Sequence, residues 1–354
     1  MRTQLEKALA FRALHARPGI FIMPNPWDAG TAKLFASLGF EALATTSLGF
    51  ASAHGLVDGT LSITREELIA NCQEIAGATD LPVNADLENG YADDPEKAAE
   101  IIRMAAEAGV VGGSTEDASG NPAMPIYDFD LAVARVAAAA RVARSLPFPF
   151  MLTARAENFL HGRPDLDDTI RRLQAFAAVG ADVLYAPGLR DLDTIRRVAA
   201  AVPRPLNVVM SAADPDLTAR QLAEAGVGAE DIAAIECEAG VKRISTGGAL
   251  SRLAFAAVRD AALAMRENGS FQWVRDTMSS KDLKAVFSSS IGWNGGFFSR
   301  VAHQFFAFSA LALLTVFLAV IDFDVAIAAV AASSFGNQRS STSRSLAISN
   351  GLDR

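Results

Sequence analysis

Eight short runs of β-forming residues alternate with stretches of helical apolar spacing between Ile20 and Gly269, and this rhythm constrains the fold more than any other feature. The runs are Ile20–Pro24, Ala42–Ser47, Pro82–Glu88, Val110–Asp117, Pro149–Arg155, Asp182–Pro187, Pro205–Met210 and Lys242–Gly247. Strands separated by helices at this spacing form parallel βαβ units. Eight such units in one stretch of chain predict a closed α/β structure, a (β/α)8 barrel of the TIM type, rather than an open sheet. An open dinucleotide-binding sheet would need a Gly-rich fingerprint after the first strand, and NPWDAGTAK carries none. Helix punctuation agrees. Thr64 and Glu67 form a capping box, Asp94-Pro95 starts the next helix with Pro at its first position, and Gly39 and Gly269 stop others.

Composition narrows the class of function. Hydrophobic residues make up 51% and charged residues 20% of the 354, ample for a packed core. A net charge of −8, without Lys/Arg clusters interleaved with aromatics, argues against a nucleic-acid partner. The two cysteines, Cys72 and Cys237, are far apart and suit a reducing compartment. The charged start MRTQLEKALAFRALHARPG reads as an amphipathic helix and not as a secretory signal, so a cytoplasmic protein is expected.

A barrel carries its chemistry at the C-terminal ends of its strands. There the sequence offers Asn25 and Asp28 after the first, Ser47 and Gly49 after the second, and Asp86 and Glu88 after the third. Glu116 and Asp117 end the fourth, Arg155 and Glu157 the fifth, Asn207 lies on the seventh, and Ser245 and Thr246 close the eighth. Asp86 and Glu88, two residues apart, leave one face of a strand and repel unless a cation or proton lies between them. A hard divalent ion such as Mg²⁺ is the natural neutraliser. Acids converging from two strands, with an Arg from a third, suit a metal and an anionic substrate held together.

The motifs NPWDAGTAKLFASLGFEALATTSLG, NADLENGY, GGSTED, LTARAENFLHGRPDLDDTIRRLQAFAAVGADVLYAPG and PLNVV, in this order, resemble those of the isocitrate lyase/phosphoenolpyruvate mutase superfamily over about residues 5–287. The resemblance implies that Asp86 ligates Mg²⁺ (or Mn²⁺ in its place) directly, while Glu88 and Glu116 hold it through water. It implies that Ser47, Leu48 and Gly49 form a turn that binds the carboxylate of a 2-oxo acid or its enolate. Arg155 would contact the substrate's oxygens, Asn207 would be a further substrate contact, and Asp58 would sit on a gating loop. The implied activity is a Mg²⁺-dependent C–C lyase working through a metal-stabilised enolate, like methylisocitrate lyase or oxaloacetate decarboxylase. A phosphonomutase-type isomerase and a non-catalytic dicarboxylate-binding barrel are the alternatives. The substrate would be a small 2-oxo or 2-hydroxy acid, and a homotetramer is implied.

Some features depart from that pattern. Glu116-Asp117 is followed by ASGNPAMPIYD, which lacks the Lys-Arg-Cys-Gly-His of isocitrate and methylisocitrate lyases and so weighs against those two activities. His161, on the loop after the fifth strand, is a titratable group more often solvated than catalytic in such a setting. EAGV recurs at Glu224–Val227 and Glu238–Val241, so the segment between, with Cys237, reads as an insertion at the barrel's lower face. The expected domains are a catalytic barrel over 1–287 and an atypical tail over 288–354, with an apolar helix near 303–332 and then a disordered end. Phe305–Ile321 is uncharged and slightly short for a membrane span. A membrane anchor, an oligomer contact and an altered reading frame each account for that tail.

Overall fold

A computed structural model of the chain describes residues 2–59, 62–225 and 240–288. The chain divides into two units, Met1–Gly292 and Trp293–Arg354, and every described residue belongs to the first. The expected tail helix, the disordered end and residues 226–239, which include the expected insertion with Cys237, lie outside the described residues.

All eight expected strands form: β1 (Phe21–Met23), β2 (Leu43–Ala44), β3 (Val83–Asp86), β4 (Gly112–Glu116), β5 (Met151–Arg155), β6 (Val183–Tyr185), β7 (Pro205–Val209) and β8 (Gly240–Ser245). Every pairing is parallel and the order is β1-β8-β7-β6-β5-β4-β3-β2. Consecutive strands are therefore neighbours around the sheet, as in a (β/α)8 barrel. The helices are α1 (Gln4–Ala16), α2 (Ala29–Ser37), α3 (Ser47–Ala53), α4 (Arg65–Gly77), α5 (Pro95–Glu107) and α6 (Phe129–Ser145). They continue as α7 (Leu166–Ala178), α8 (Leu192–Ala201), α9 (Ala219–Ala225), α10 (Ala249–Asn268) and α11 (Ser280–Ser288).

The weakest point of the ring is the seam between β1 and β2, which share no ladder. Ala44 N–H donates to Pro24 O at 3.1 Å, and the side chain of Asn25 does the rest. Its Nδ2 donates to Thr45 O, while its Oδ1 accepts from Thr246 N–H and Gly247 N–H, each at 2.9 Å. One buried amide thus ties the end of β2 to the end of β8 across the shortest part of the wall. Asn25 is a closure residue, and Asp28 caps α2 by accepting from Thr31 N–H, so neither strand-end polar group is free for chemistry.

The floor is built by α1. Ala8, Phe11 and Leu14 pack with Phe21, Met23, Ala42, Ala44, Met151 and Val183 inside the ring. Burying a side chain such as Phe11 completely contributes about 1.5–3 kcal/mol. The larger core lies between the outer strand faces and the surrounding helices, where Ile75, Ile102, Leu152, Phe176 and Val198 are buried. Strand alternation then directs the other face inward, and the strand ends set what the barrel mouth presents. No helix among the described residues is long and apolar enough to cross a membrane.

Candidate active site

Asp86, Glu116, Arg155, Tyr185 and Ser245 are each the last residue of their strands, so five strands deliver polar groups to one end of the barrel. Arg155 is the hub. Its three nitrogens each meet a different carboxylate: NH1 reaches Asp86 at 2.9 Å, NH2 reaches Glu116 at 2.9 Å, and Nε reaches Glu157 at 2.8 Å. The ring of Tyr185 lies beneath the guanidinium, 5.2 Å from it. Behind this hub a buried pair holds the frame: Arg172 NH1 donates to Asp117 Oδ2 at 2.9 Å, and Asp117 Oδ1 accepts from Glu157 N–H at 2.8 Å.

The Ser47–Gly49 stretch differs from the expected turn. It is the first turn of α3, capped by Thr46, whose hydroxyl accepts from Gly49 N–H at 3.3 Å. Ser47 N–H and Ser47 Oγ donate to Asp86 Oδ2 at 3.3 and 3.1 Å. Gly49 is glycine because a Cβ there would stand 2.7 Å from Thr46 Cγ2 and 3.0 Å from Trp27 Cβ. Leu48 is anchored by packing on Gly248, where an added Cβ would come within 2.4 Å of its Cδ2. The stretch therefore offers main-chain donors and a hydroxyl from a fixed short helix.

The acids crowd. Glu88 adopts φ 52°, a left-handed conformation that brings its carboxyl back to the mouth, and burial and then Asp86 and Asp58 push it up to about 8. Arg135 braces the turn by donating to the carbonyls of Asn89, Ala92 and Asp93, while Tyr127 OH donates to Asp93 at 2.7 Å. Glu116 is raised well above the usual carboxylate range by burial, against the pull of Arg155. Asp58 is raised by burial and then by the charge of Asp86, against the pull of Ser47 and Arg155, which brings the expected loop acid into the electrostatic reach of the cluster.

Of the sequence-derived residues, Ser47, Asp58, Asp86, Glu88, Glu116 and Arg155 come together. Asn207 sits lower, buried on β7, with both ends of its amide engaged: Oδ1 by Arg243 Nε at 2.8 Å and Nδ2 by Ser245 Oγ at 2.9 Å. His161 is exposed on its loop. Residues outside that expectation also line the mouth and interior, among them Tyr185, Ser114, Asn84 and Arg243. Their signal was the period of two: counting back two from Asp86 and from Ser245 gives Asn84 and Arg243.

Among the described residues no three His, Cys, Asp or Glu converge as a closed set of direct metal ligands. The donor set suits a different arrangement. Five acids, Asp58, Asp86, Glu88, Glu116 and Glu157, face the single positive charge of Arg155. Mg²⁺ binds through one or two carboxylates and keeps several waters, so one direct ligand at Asp86 with Glu88 and Glu116 acting through water fits these residues.

Comparisons with known proteins bear on the family. The family model described as phosphoenolpyruvate phosphomutase matches residues 11–266. A solved structure of a Burkholderia cenocepacia J2315 protein described as a lyase/mutase is 51% identical, with a TM-score of 0.75, covering 81% of this chain and 97% of that one. The oxaloacetate decarboxylase of Chromohalobacter salexigens is 30% identical over 227 residues, 61% of this chain and 75% of its own. A phosphonopyruvate hydrolase solved with oxalate and Mg²⁺ shares the fold at 20% identity, TM-score 0.68, covering 80% of this chain and 95% of that one. A match over most of the barrel, with the acids, the arginine and the α3 donors assembled at its mouth, places the chain in the phosphoenolpyruvate mutase family of the isocitrate lyase/phosphoenolpyruvate mutase superfamily, whose members are Mg²⁺-dependent lyases and mutases.

Proposed function

We propose that the chain is a Mg²⁺-dependent carbon–carbon lyase that cleaves or forms the bond next to a 2-oxo acid through an enolate. The observation that carries the reading is the convergence of Asp86, Glu88 and Glu116 on Arg155 beside the Ser47 donors. Asp86 would hold the ion directly, with Glu88 and Glu116 behind water. When bound, Mg²⁺ supplies Lewis-acid stabilisation of negative charge on the substrate's oxygens.

The chain's own groups do the rest. When the C–C bond breaks, its electron pair stays on the carbon beside the oxo group and delocalises onto oxygen, the other fragment leaves as carbon dioxide or a carbonyl compound, and a proton later restores the oxo acid. Ser47 N–H and Oγ, which donate to Asp86 in the metal-free site, would turn to that oxygen once Asp86 holds the ion, and the N–H groups of Arg155 that face no acid would help to orient and stabilise it. Asp58, whose carboxyl holds its proton to higher pH than usual, lies on the Ser47 side and is the candidate proton carrier. This role matters because the segment after β4 offers no Cys, His or Lys.

Isothermal titration of oxalate, a mimic of the pyruvate enolate, tests the reading on wild type and on Asp86→Ala. Binding is expected to need both Mg²⁺ and Asp86, with pyruvate released from a 2-oxo or 2-hydroxy acid in a substrate screen. Metal-independent binding, or none, overturns it. The name of the matching family model favours a second reading, a phosphonomutase-type isomerase. Turnover of phosphonopyruvate without a C–C cleavage product would select that reading, and oxalate binding without any turnover would leave a dicarboxylate-binding barrel. A cytoplasmic homo-oligomer is proposed as the working form. Leu253, Phe255 and Val258, exposed along α10, support self-association, and sedimentation of the full chain checks it.

A further inference from the structure

Below the acid cluster the barrel interior continues as a cavity of about 50 Å³, roughly four times the minimum that one water needs. Two cations line it, Arg155 and Arg243. They differ in what they have left to offer. Arg155 faces three carboxylates, so its charge is more than offset. Arg243, 2% exposed on β8, has only neutral partners: Nε donates to Asn207 Oδ1 and NH2 to Thr153 Oγ1 at 3.1 Å. Among the described residues no carboxylate pairs with it, and its NH1 has no partner at all.

A guanidinium buried without a counter-charge carries a desolvation penalty that no carboxylate among the described residues offsets. A neutral side chain of similar shape would fill the barrel without it. Apolar residues do fill the layer beneath, where Phe11, Phe21 and Met151 pack. Asn207 and Thr153 hold Arg243 in one orientation, with donors left over. The remaining charge is suited to an anionic group that arrives with the ligand.

We propose that Arg243 is a specificity-determining residue that binds the second carboxylate of a dicarboxylic substrate, its unpaired guanidinium extending the site from the mouth into the barrel interior. This rests on the enolate reading above. The 2-oxo or 2-hydroxy acid end lies at Asp86 and Ser47, and the distal carboxylate enters the cavity toward Arg243. Arg155, matched against three acids, then orients the reacting end, and the net attraction for a doubly charged ligand comes from below. Asn207 becomes a positioning residue that acts through Arg243.

The test uses the full chain with Mg²⁺ and measures displacement of oxalate by two stable ligands. Malate has a distal carboxylate, and 2-hydroxybutanoate has a methyl group in its place. Wild type is expected to prefer malate by about tenfold to a hundredfold, the worth of one charge-assisted hydrogen-bonded contact. Arg243→Met should erase most of that preference while oxalate affinity stays within about threefold, and Arg243→Lys should keep part of it. No preference in wild type overturns the proposal without any variant, as does a preference that survives in Arg243→Met. Equal weakening of oxalate and malate in a variant that melts like wild type also overturns it, since a purely structural role would give that pattern. Should Arg243→Met not fold, the Lys variant and the wild-type ratio still decide. Loss of Mg²⁺-dependent oxalate binding in wild type would instead sink the enolate reading, so the two failures are distinct.

Discussion

His15 makes the barrel floor sensitive to acid by a calculable amount. It sits on α1 with its ring edge-on to Phe11 at 4.7 Å and to Phe21 at 5.1 Å, and Nδ1 meets Phe11 O at 2.8 Å. Burial, and secondly the charge of Arg243, lower it from 6.5 to about 3, so the ring stays neutral in the folded protein. The unfolded chain binds a proton there below pH 6.5 and the folded chain does not, so the stability is present above 6.5 and is lost as pH falls toward 3. From pH 6.5 to pH 5 is one and a half units, worth about 2 kcal/mol at 1.36 kcal/mol per unit. His15→Leu should remove this slope. Urea denaturation of both proteins at pH 7 and pH 5, at fixed ionic strength, should show wild type losing about 2 kcal/mol more than the variant. The buried acids of the mouth titrate in both proteins and cancel in the difference. NMR of histidine-labelled protein should show one ring that stays neutral through pH 5. Parallel pH slopes, or a His15 resonance titrating near 6.5, would refute the assignment.

Three further outcomes follow from packing and pairing. Gly112→Ala places a Cβ 2.9 Å from Asn84 Oδ1, Met151 O and Phe11 Cε1, and should destabilise by about 1–3 kcal/mol in a denaturant titration. Arg172→Met leaves Asp117 buried without its partner and should cost about 3–5 kcal/mol, read by the same titration. Gly248→Ala drives a Cβ into Leu48 and so shifts the start of α3. It should weaken Mg²⁺-dependent oxalate binding by more than the shift in melting temperature alone would suggest.

The strands were legible because most residues in them are buried and five of the eight, β3, β4, β5, β6 and β8, end on a polar residue. All but β8 fall inside the expected runs, and β8 begins earlier than expected, at Gly240. For the others the expected lengths exceeded the observed ones, since residues such as Glu88 and Asp117 continue the sequence pattern after the ladder has ended. The short helix α3 was not legible. SLGFASA has small residues and no apolar period, and what starts it is the Thr46 cap together with packing on Trp27, a contact remote in sequence. Arg243 was hidden for another reason. A polar residue on a strand ordinarily marks the solvent side, and only closure of the ring turns that side into an interior. Asn25 and Asp28 illustrate the opposite error, polar strand-end residues whose work is closing the wall and capping a helix.

Glu88 shows how far the site departs from what stability alone would choose. It adopts φ 52° for a non-glycine residue and its carboxyl is pushed up to about 8, against 4.5 in an unfolded chain. Between those values the unfolded chain has released a proton that the folded chain retains, so stability is greatest at low pH and falls as pH rises toward 8. At pH 7 this difference is two and a half units, at most about 3 kcal/mol in the metal-free protein. Glu88→Gln has nearly the shape of the protonated acid and no charge to bury. It should therefore raise the stability of the metal-free protein at pH 7 by on the order of 1–3 kcal/mol, and by less at pH 5. The same change should weaken Mg²⁺-dependent oxalate binding, because the water-mediated carboxylate is gone. Denaturation at the two pH values and titration with oxalate read the two effects separately. A variant less stable than wild type at pH 7, or equally stabilised at both pH values, would mean that Glu88 is ionised and matched by its neighbours, and that the mouth carries no excess of acid for a metal to relieve.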